Sequence, residues 1–264
     1  MGRLKKRFAV ITGGASGIGR AIAEAYLSEG AQVLIADING DLASHTAAEL
    51  EKLGKVHAFA CDVTKFSDVK ALSDEALRVF GKVNVLINNA GLSGRGLISE
   101  IAEDTIDALL NVNLKGVIIC AKVFAPILKN ANDAVMINMS SQAGKRGWAE
   151  LSVYGATKAG VLGMNRALAV ELAPEVRVNA ICPGYISEVG MAWRGWDSKS
   201  KKEGGDAGSI GTKFAIDNIP LERLQTADDI ARSAVFLGST DAKEITGAAL
   251  NVGCLLYTSP SPRD

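Results

Sequence analysis

Tyr154 and Lys158 are the residues whose types and spacing most clearly indicate chemistry. They stand four positions apart, so on a helix their side chains share one face, one turn from each other. A tyrosine with a reference pKa of about 10 is a poor base at neutral pH, but a nearby ammonium group stabilises the phenolate and lowers that pKa. The pair therefore predicts a proton-transfer site in which Tyr154 acts as acid and base.

A glycine-rich turn follows Phe8–Thr12, an apolar run that we predict as the first strand. Glycine lets backbone N–H groups approach a phosphate closely, and the N-terminus of the following helix adds a positive partial charge. A tight connection is the alternative interpretation, because the spacing is not that of the common G-x-G-x-x-G fingerprint. The place between first strand and first helix favours a dinucleotide site. The turn reads Gly13-Gly14-Ala15-Ser16-Gly17-Ile18-Gly19.

Asp37 stands at the end of the second predicted strand, close to the offset of about 20 residues at which a ribose-binding carboxylate is expected. A carboxylate there accepts hydrogen bonds from the adenosine hydroxyls and repels a 2′-phosphate. Alternatively, Asp37 is an acidic residue that opens the helix starting near Asp41. Ser16 occupies a loop position where a basic residue would indicate NADP. Together these residues predict NAD as the cofactor.

The elements that position these residues alternate short apolar runs with helical stretches, the pattern of a parallel sheet covered on both faces. We predict one α/β domain over residues 1–253, with a doubly wound, seven-stranded parallel sheet. Residues 186–219 lack a clean period and are predicted as a long loop, either a substrate lid or a disordered insert. The predicted strands are Phe8–Thr12, Gln32–Ala36, Val56–Cys61, Val83–Asn88, Ala134–Met139, Arg177–Ile181 and Ala248–Val252. The predicted helices are Gly19–Ser28, Asp41–Leu53, Ser67–Phe80, Ile106–Lys129, Val153–Leu172 and Ala227–Leu237.

The composition narrows the classes of partner. Among 264 residues, 29 basic and 29 acidic side chains cancel, so no field favours nucleic acid or an anionic membrane. No apolar run approaches the roughly 20 residues of a bilayer span. The cysteines have no paired spacing and His45 and His57 form no ligand cluster, so we expect a reducing cytoplasm and no metal, with a carboxylate-only metal site left open. The cysteines are Cys61, Cys120, Cys182 and Cys254.

The last eleven residues, Cys254–Asp264, do not continue the domain pattern. They look like the translation of a sequencing adaptor, and we expect a non-native tail there. A flexible tail rich in proline and serine is the alternative. Either way these residues are left out of the predicted fold.

Taken together, the motifs resemble those of the short-chain dehydrogenase/reductase family over nearly all of residues 8–253. That resemblance implies a Rossmann fold, a nicotinamide cofactor and hydride transfer between the cofactor and an alcohol or ketone. It also implies a homotetramer. The motifs are Thr12-Gly-Gly-Ala-Ser-Gly-Ile-Gly19, Asp62-Val63, Asn88-Asn-Ala-Gly91, Asn113, Ser141, Tyr154-Gly-Ala-Thr-Lys158 and Pro183-Gly184.

The resemblance assigns roles around Tyr154. Lys158 holds the nicotinamide ribose hydroxyls, Ser141 holds the substrate oxygen, and Asn113 anchors a water that links Lys158 to solvent. Neighbouring Ser140 is expected to be a strand-end hydrogen bonder. Singly, Tyr154 could be a packed aromatic, Lys158 a surface charge and Ser141 a turn residue, but their joint occurrence favours the catalytic interpretation.

Cofactor contacts follow from the same resemblance. Pro183, Gly184 and Ile186 are expected to pass the nicotinamide. Ser187 and Glu188 stand where a threonine often holds the carboxamide or a phosphate, and Ser187 is expected to take over that contact. On the adenosine side the expected contacts are Gly13, Ser16, Gly17, Ile18, Gly19, Asp37, Asp62, Val63, Asn89, Ala90 and Gly91.

The expected substrate is a polyol or vicinal diol. The stretch Ser141-Gln-Ala-Gly144 and the segment around Trp193 are similar to the sorbitol/polyol dehydrogenase and acetoin reductase branches of the family. Gln142 could bind a second hydroxyl or merely brace the loop, and Trp148 and Trp193 could wall the pocket or pack the lid. A 3-oxoacyl thioester or steroid substrate is the enzymatic alternative, and an NAD(H)-binding scaffold or regulator is the non-enzymatic one.

Overall fold

The computed structural model describes residues 2–187 and 190–253. They build one parallel sheet in the order β3-β2-β1-β4-β5-β6-β7, which confirms the predicted doubly wound, seven-stranded architecture. The predicted tail and Glu188 lie outside the described residues. The strands are β1 Phe8–Thr12, β2 Gln32–Asp37, β3 Val56–Ala60, β4 Val85–Asn88, β5 Ala134–Met139, β6 Val176–Pro183 and β7 Ala249–Val252.

Helices cover both faces of this sheet, as a set of parallel strands requires. On one face α1, α2 and α9 pack through Ile22, Leu50 and Ile230, and on the other α3 and α5 pack through Leu72 and Phe124. The helices are α1 Gly17–Ser28, α2 Gly40–Leu50, α3 Phe66–Phe80, α4 Glu103–Leu110, α5 Val117–Lys129, α6 Ser152–Glu171, α7 Gly190–Glu203, α8 Ala207–Asn218 and α9 Ala227–Gly238.

The central strands β1, β4 and β5 explain why the sequence reads as apolar runs. Every residue of β5 is buried, and Ile11 of β1 pairs in register with Ile35 of β2 and Ile87 of β4. The strand order reverses between β1 and β4, because β2 and β3 lie on one side and β5 to β7 on the other. A crevice opens at the carboxyl ends of the strands at such a switch point, and ligands bind there.

The predicted helix Ile106–Lys129 is interrupted in the structure. A π-helical segment, Asn111–Gly116, separates α4 from α5. Such wide turns are frequent at functional sites, and this one carries Asn113. The sequence predicted no stretch long and apolar enough to span a bilayer. The continuous helical segment Glu103–Lys129 is long enough and, with a mean hydropathy of 1.6, apolar enough to do so by length and composition. Its buried face, which includes Phe124, packs against the sheet as in the core helix of a globular domain.

The prediction of a long loop over residues 186–219 was wrong, because most of that segment forms α7 and α8; that the segment is a substrate lid stays a prediction. Gly204 and Gly205, with φ of +78° and +114°, make the break between the two helices. Asp206 caps α8 by accepting a hydrogen bond from the Ser209 backbone nitrogen at 2.8 Å. Aromatic contacts tie both helices to the segment after β6, because Trp196 of α7 and Phe214 of α8 both pack on the Tyr185 ring. Such contacts between distant residues leave no local pattern in the sequence.

Candidate active site

A cleft of about 550 Å³ lies at the carboxyl ends of the strands. It joins the glycine-rich turn at one end to Tyr154 and Lys158 at the other, so the structure brings both predicted functional features into one site. The predicted residues that line it are Gly13, Ser16, Gly17, Ile18, Asp37, Asp62, Val63, Asn89, Ala90, Gly91, Ser141, Gln142, Trp148, Tyr154, Lys158, Pro183, Gly184 and Ile186. Four predicted site residues are not among its lining residues, namely Gly19, Asn113, Ser187 and Trp193. Lining residues that sequence reasoning missed include Ile38, Leu92, Arg95, Val112, Leu151 and Tyr185.

The glycine-rich turn leaves open space above its backbone. Gly17 has a φ of +53°, and a Cβ atom there would meet nothing within 4 Å, as expected where a ligand comes close to the chain. Glycine is required at position 19 for a different reason: a Cβ atom there would lie 2.1 Å from the carbonyl oxygen of Gly13. Asn89 braces the turn by donating to the carbonyl oxygens of Thr12 and Gly13 at 3.0 and 2.9 Å. The turn therefore fits a pyrophosphate at the N-terminus of α1.

Asp37 closes the adenosine end of the cleft. Its carboxylate accepts hydrogen bonds from the backbone nitrogens of Ala15 and Asn39, both at 3.1 Å. Asn39 itself caps α2 through Leu42, so Asp37 is not the helix cap that the alternative interpretation required. Ser16 is exposed at the N-terminus of α1, where its side chain makes no capping hydrogen bond. This end of the cleft suits the paired hydroxyls of an unphosphorylated ribose.

The catalytic candidates come from β5 and α6. Lys158 is 5% exposed, and its Nζ donates to the carbonyl oxygen of Met139 at 3.0 Å. Ser140 donates to the carbonyl oxygen of Lys158 at 2.9 Å, as expected for a strand-end hydrogen bonder. A Cβ on Gly144 would lie 2.7 Å from the Lys158 backbone, so the loop after β5 packs tightly on α6. These contacts fix Lys158 relative to Ser141 at the end of the strand.

Burial dominates the acidities at this site. It raises the pKa of Tyr154, although a hydrogen bond with the Ser141 side chain acts in the opposite direction. Burial also lowers the pKa of Lys158 to about 8. In the protein without cofactor, desolvation penalises both charged forms, and the expectation that Lys158, helped by an oxidised nicotinamide, lowers the pKa of Tyr154 stays a prediction. In this state Tyr154 keeps its proton and can donate it.

Asn113 lies behind the catalytic pair on the π-helical segment. It is fully buried, and its amide accepts from the Leu92 nitrogen at 2.7 Å and donates to the Leu92 oxygen at 2.9 Å. A Cβ on Gly91 would lie 3.3 Å from Asn113 Oδ1 and 3.5 Å from Lys158 Nζ. Asn113 and Lys158 therefore converge on Gly91, and the backbone bonds of Asn113 hold the loop after β4 beside the catalytic lysine.

Gln225, which sequence spacing gave no reason to select, holds the segment after β6 in place. Its Oε1 accepts from the Gly184 nitrogen at 2.9 Å, and its backbone nitrogen donates to the Tyr185 oxygen at 3.1 Å. Ser187 donates to the Gln225 carbonyl oxygen through both its nitrogen, at 2.8 Å, and its hydroxyl, at 3.1 Å. In this arrangement the Ser187 hydroxyl is bonded to the protein backbone, and its contact with the cofactor stays a prediction.

The substrate end of the cleft has an aromatic wall. Trp148 and Tyr185 meet edge to face, with ring centroids 6.0 Å apart. Trp193 instead packs on Trp196 of α7, with ring centroids 6.5 Å apart, and is not among the residues that line the cleft. Gln142 is 3% exposed, and among the described residues neither end of its amide has a hydrogen-bond partner. The amide packs against the segments after β6 and β7, since a Cβ on Gly253 would lie 1.4 Å from its Nε2 and one on Gly184 3.2 Å from its Oε1.

Comparison with known proteins agrees with this geometry. The family model for short chain dehydrogenases matches residues 7–199. The chain is 36% identical to the sorbitol dehydrogenase of Cereibacter sphaeroides, over 95% of this chain and 97% of that protein. It is 33% identical to the 3-oxoacyl-(acyl-carrier-protein) reductase of Thermotoga maritima, again over 95% of this chain and 97% of the relative.

The fold also matches a solved structure of NAD⁺-bound xylitol dehydrogenase. The TM-score is 0.87 at 26% identity, over 95% of this chain and 98% of that one. The expected family is therefore confirmed by sequence, and the expected architecture by structure. The chain belongs to the short-chain dehydrogenase/reductase family of oxidoreductases and is close to its polyol dehydrogenases.

Proposed function

We propose that this oxidoreductase uses NAD(H) to interconvert a secondary alcohol and a ketone on a polyol or vicinal diol. Sorbitol-like polyols and the acetoin/butanediol pair are the substrates we expect. The observation that carries the proposal is the continuity of the cleft, which runs from Asp37 to Ser141, Tyr154 and Lys158. A dinucleotide lying along it has its adenosine end at Asp37 and its reactive end beside Tyr154.

The proposed division of labour follows from the contacts around Tyr154. The bound nicotinamide supplies or accepts the hydride, and the chain's own residues bind the substrate and move the proton. Ser141 holds the substrate oxygen beside the Tyr154 hydroxyl, which gives or takes the proton. Lys158 is held by the Met139 carbonyl, so its ammonium group is positioned for the ribose hydroxyls and for the charge on Tyr154. Asn113 anchors the water through which the proton leaves.

Preference for NAD over NADP rests on charge. A 2′-phosphate beside Asp37 would meet a carboxylate already bonded to Ala15 and Asn39, and Ser16 offers no compensating cation. The remaining adenosine-side contacts are proposed at Asp62 and Val63. The pKa of Asp62 is lowered mainly by hydrogen bonds from Thr64, with a contribution from the positive charge of Lys65. The Asp62 carboxylate therefore stays ionised at neutral pH. The match to an NAD⁺-bound xylitol dehydrogenase supports the same cofactor.

A polyol substrate is supported by the residues of the cleft and by the similarity of the chain to a sorbitol dehydrogenase and a xylitol dehydrogenase. The unpartnered amide of Gln142 can bind a hydroxyl next to the reacting carbon, and Trp148 offers an apolar face for the carbon chain. A second candidate, reduction of a 3-oxoacyl thioester, is favoured by the similarity to the Thermotoga maritima reductase. Where reduction of a 3-oxoacyl thioester uses NADPH, the Asp37 carboxylate argues against this candidate, because it repels the 2′-phosphate of that cofactor.

Assembly and location are part of the proposal. Leu110, Ile118 and Val170 are apolar residues exposed on α4, α5 and α6, and their burial between subunits would suit a homotetramer. Cys61, Cys120 and Cys182 are buried free thiols, which suits a reducing cytoplasm. Sedimentation of the purified protein at several concentrations tests the assembly, and a monomer at every concentration would contradict it.

A substrate panel tests the function directly. Sorbitol, galactitol, xylitol, 2,3-butanediol, acetoin and a 3-oxoacyl thioester should each be assayed with NAD(H) and NADP(H). We expect turnover of at least one polyol or diol with NAD⁺. Turnover confined to the thioester with NADPH would select the second candidate. Binding of NADH without turnover of any compound, by protein shown to be folded, would indicate a scaffold or regulator instead.

A further inference from the structure

The two ends of the cleft differ in charge. Asp37 and Asp62 line the adenosine end, whereas the cations that line the described cleft are Arg95 and Lys158, at the substrate end. No carboxylate lines the substrate end among residues 2–187 and 190–253. A neutral polyol makes no use of this asymmetry, so the charge distribution bears on which substrate the pocket takes.

Arg146 adds a second arginine at the rim of the substrate end. Its guanidinium carbon lies 4.8 Å from the centroid of the Trp148 ring, a cation–π contact that holds the charge beside a cleft-lining side chain. In the described part of the chain it has no carboxylate partner. Arg146 is exposed, so this charge is available to a ligand at the mouth of the cleft.

Arg95 lies across the opening, in the loop after β4, and forms an ion pair with Glu150. A backbone hydrogen bond from Gly96 to the Glu150 oxygen, at 2.9 Å, fixes the two loops together. Glu150 neutralises one of the two arginine charges, and among residues 2–187 and 190–253 the rim therefore keeps a net positive charge.

Tyr185 lies at the same end of the cleft as Arg95 and Trp148. It lines the cleft, forms the aromatic wall with Trp148, and its hydroxyl has no hydrogen-bond partner among the described residues. Burial raises the pKa of Tyr185, while Arg95 and Arg146 both act to lower it. The geometry agrees, because Arg146 packs on the Trp148 ring, that ring meets the Tyr185 ring, and Arg95 lines the same cleft as Tyr185.

We propose that the substrate carries an oxyanion, a carboxylate or a phosphate, at the end remote from the reacting carbon, and that Arg146, Arg95 and the Tyr185 hydroxyl bind it. This inference rests on the proposed function and narrows its substrate class from neutral polyols to anionic ones. Guanidinium groups suit the site because they present paired donors in the geometry of carboxylate and phosphate oxygens.

Matched substrates test the inference. Sorbitol, sorbitol 6-phosphate and gluconate should be compared at low ionic strength with saturating NAD⁺. We expect kcat/KM roughly fivefold to tenfold higher for one anionic compound than for sorbitol, because a charge-assisted hydrogen bond at a partly exposed site has about this effect. The advantage should shrink as salt is added. Preference for the phosphate or for the carboxylate identifies which oxyanion the site takes.

Two variants should move this preference in opposite directions. Arg146→Gln removes the Arg146 charge and should lower the ratio of anionic to neutral kcat/KM, whereas Glu150→Gln frees Arg95 and should raise it. A merely structural role for this rim would not give opposite signs. Arg232→Gln, which breaks an exposed ion pair with Asp228 on α9, is the matched control and should leave the ratio unchanged.

The outcomes separate this inference from the proposed function. Turnover of sorbitol with NAD⁺ and no advantage for either anion would overturn the anionic substrate and leave the polyol dehydrogenase activity standing. An advantage that persists undiminished in Arg146→Gln would also overturn the assigned residues. If neither neutral nor anionic polyols are oxidised by folded protein, the proposed function fails and this inference fails with it.

Discussion

The ammonium nitrogen of Lys158 lies 5.8 Å from the centroid of the Tyr154 ring, one helical turn along α6. In the protein without cofactor this proximity does not ionise the tyrosine, because burial raises the pKa of Tyr154 and lowers that of Lys158. The site therefore holds a phenol that still carries its proton beside a lysine that titrates close to neutral pH. Positive charge on a bound, oxidised nicotinamide acts in the direction needed to ionise Tyr154.

Replacement Tyr154→Phe should abolish turnover while leaving NADH binding nearly unchanged. The ring stays to fill its place, but the hydroxyl that transfers the proton is lost, and general acid–base catalysis contributes about 10²- to 10⁴-fold to a rate. Steady-state assays and a titration of NADH fluorescence measure the two effects. Tyr26→Phe is the control, since Tyr26 donates to the Ala234 oxygen in the core, away from the cleft. Full activity in Tyr154→Phe would remove the central role given to this residue.

Replacement Lys158→Met should inactivate the enzyme and stabilise the protein without cofactor at pH 7. The pKa of Lys158 is lowered from 10.5 to about 8, so between these values the unfolded chain binds more protons and wild-type stability rises with pH. Below pH 8 the full cost of the buried charge is present. The variant lacks this cost and should be more stable at pH 7 by on the order of 1–3 kcal/mol, after losing the hydrogen bond to Met139.

Thermal unfolding from pH 7 to pH 10.5 measures this effect. The stability gap between Lys158→Met and wild type should be largest at pH 7 and shrink between about pH 8 and pH 10.5, where the wild-type lysine loses its proton. Lys122→Met, the same change at an exposed lysine of α5, should show no such trend. A gap that stays constant with pH would show that the buried charge is not its cause.

Much of this site follows from sequence because parallel strands place their carboxyl ends at one edge. Gly17 follows β1, Asp37 ends β2 and Ser141 follows β5, so once the strand order is known they must lie at the same edge of the sheet. That Tyr154 and Lys158 share one helix face could be predicted from their spacing of four residues alone. The π-helical turn at Asn113 was not predictable, because nothing in residue type distinguishes an i→i+5 turn from an α-helical one.

The features of the site that could not be predicted depend on contacts between residues far apart in the chain, and such contacts leave no pattern in the local sequence. Tyr185 and Phe214 lie far apart in the chain, yet their ring centroids are 4.6 Å apart and tie the segment after β6 to α8. Gln225 looks like an ordinary polar residue before α9, and its role appears only through its bonds to Gly184 and Tyr185. Sequence alone left open whether Trp193 walls the pocket or packs against other residues, and the contact with Trp196 that decides between them appears only in the structure.

Replacement Asp37→Ser should shift the cofactor preference towards NADP⁺. It removes the carboxylate that repels a 2′-phosphate, and we expect the ratio of kcat/KM for NAD⁺ over NADP⁺ to fall at least about tenfold. Steady-state kinetics with both cofactors measure the change. Asp41→Ser is the matched control, because Asp41 lies in the first turn of α2 and does not line the cleft. An equal shift in both variants would mean that the overall charge of this end, and not Asp37, sets the preference.

Replacement Gln225→Leu should raise the KM values for cofactor and substrate more than it lowers kcat. The side chain no longer accepts from the Gly184 nitrogen, which keeps only its bond to the Val252 oxygen, at 3.0 Å, so the segment that passes the nicotinamide is held less firmly. Thr226→Ala, next in the chain, is the control because it removes the cap of α9 and costs about 1 kcal/mol of stability. If both variants lose stability equally and neither changes KM, Gln225 is structural only; a KM increase confined to Gln225→Leu shows that it positions the Gly184–Ser187 segment for binding.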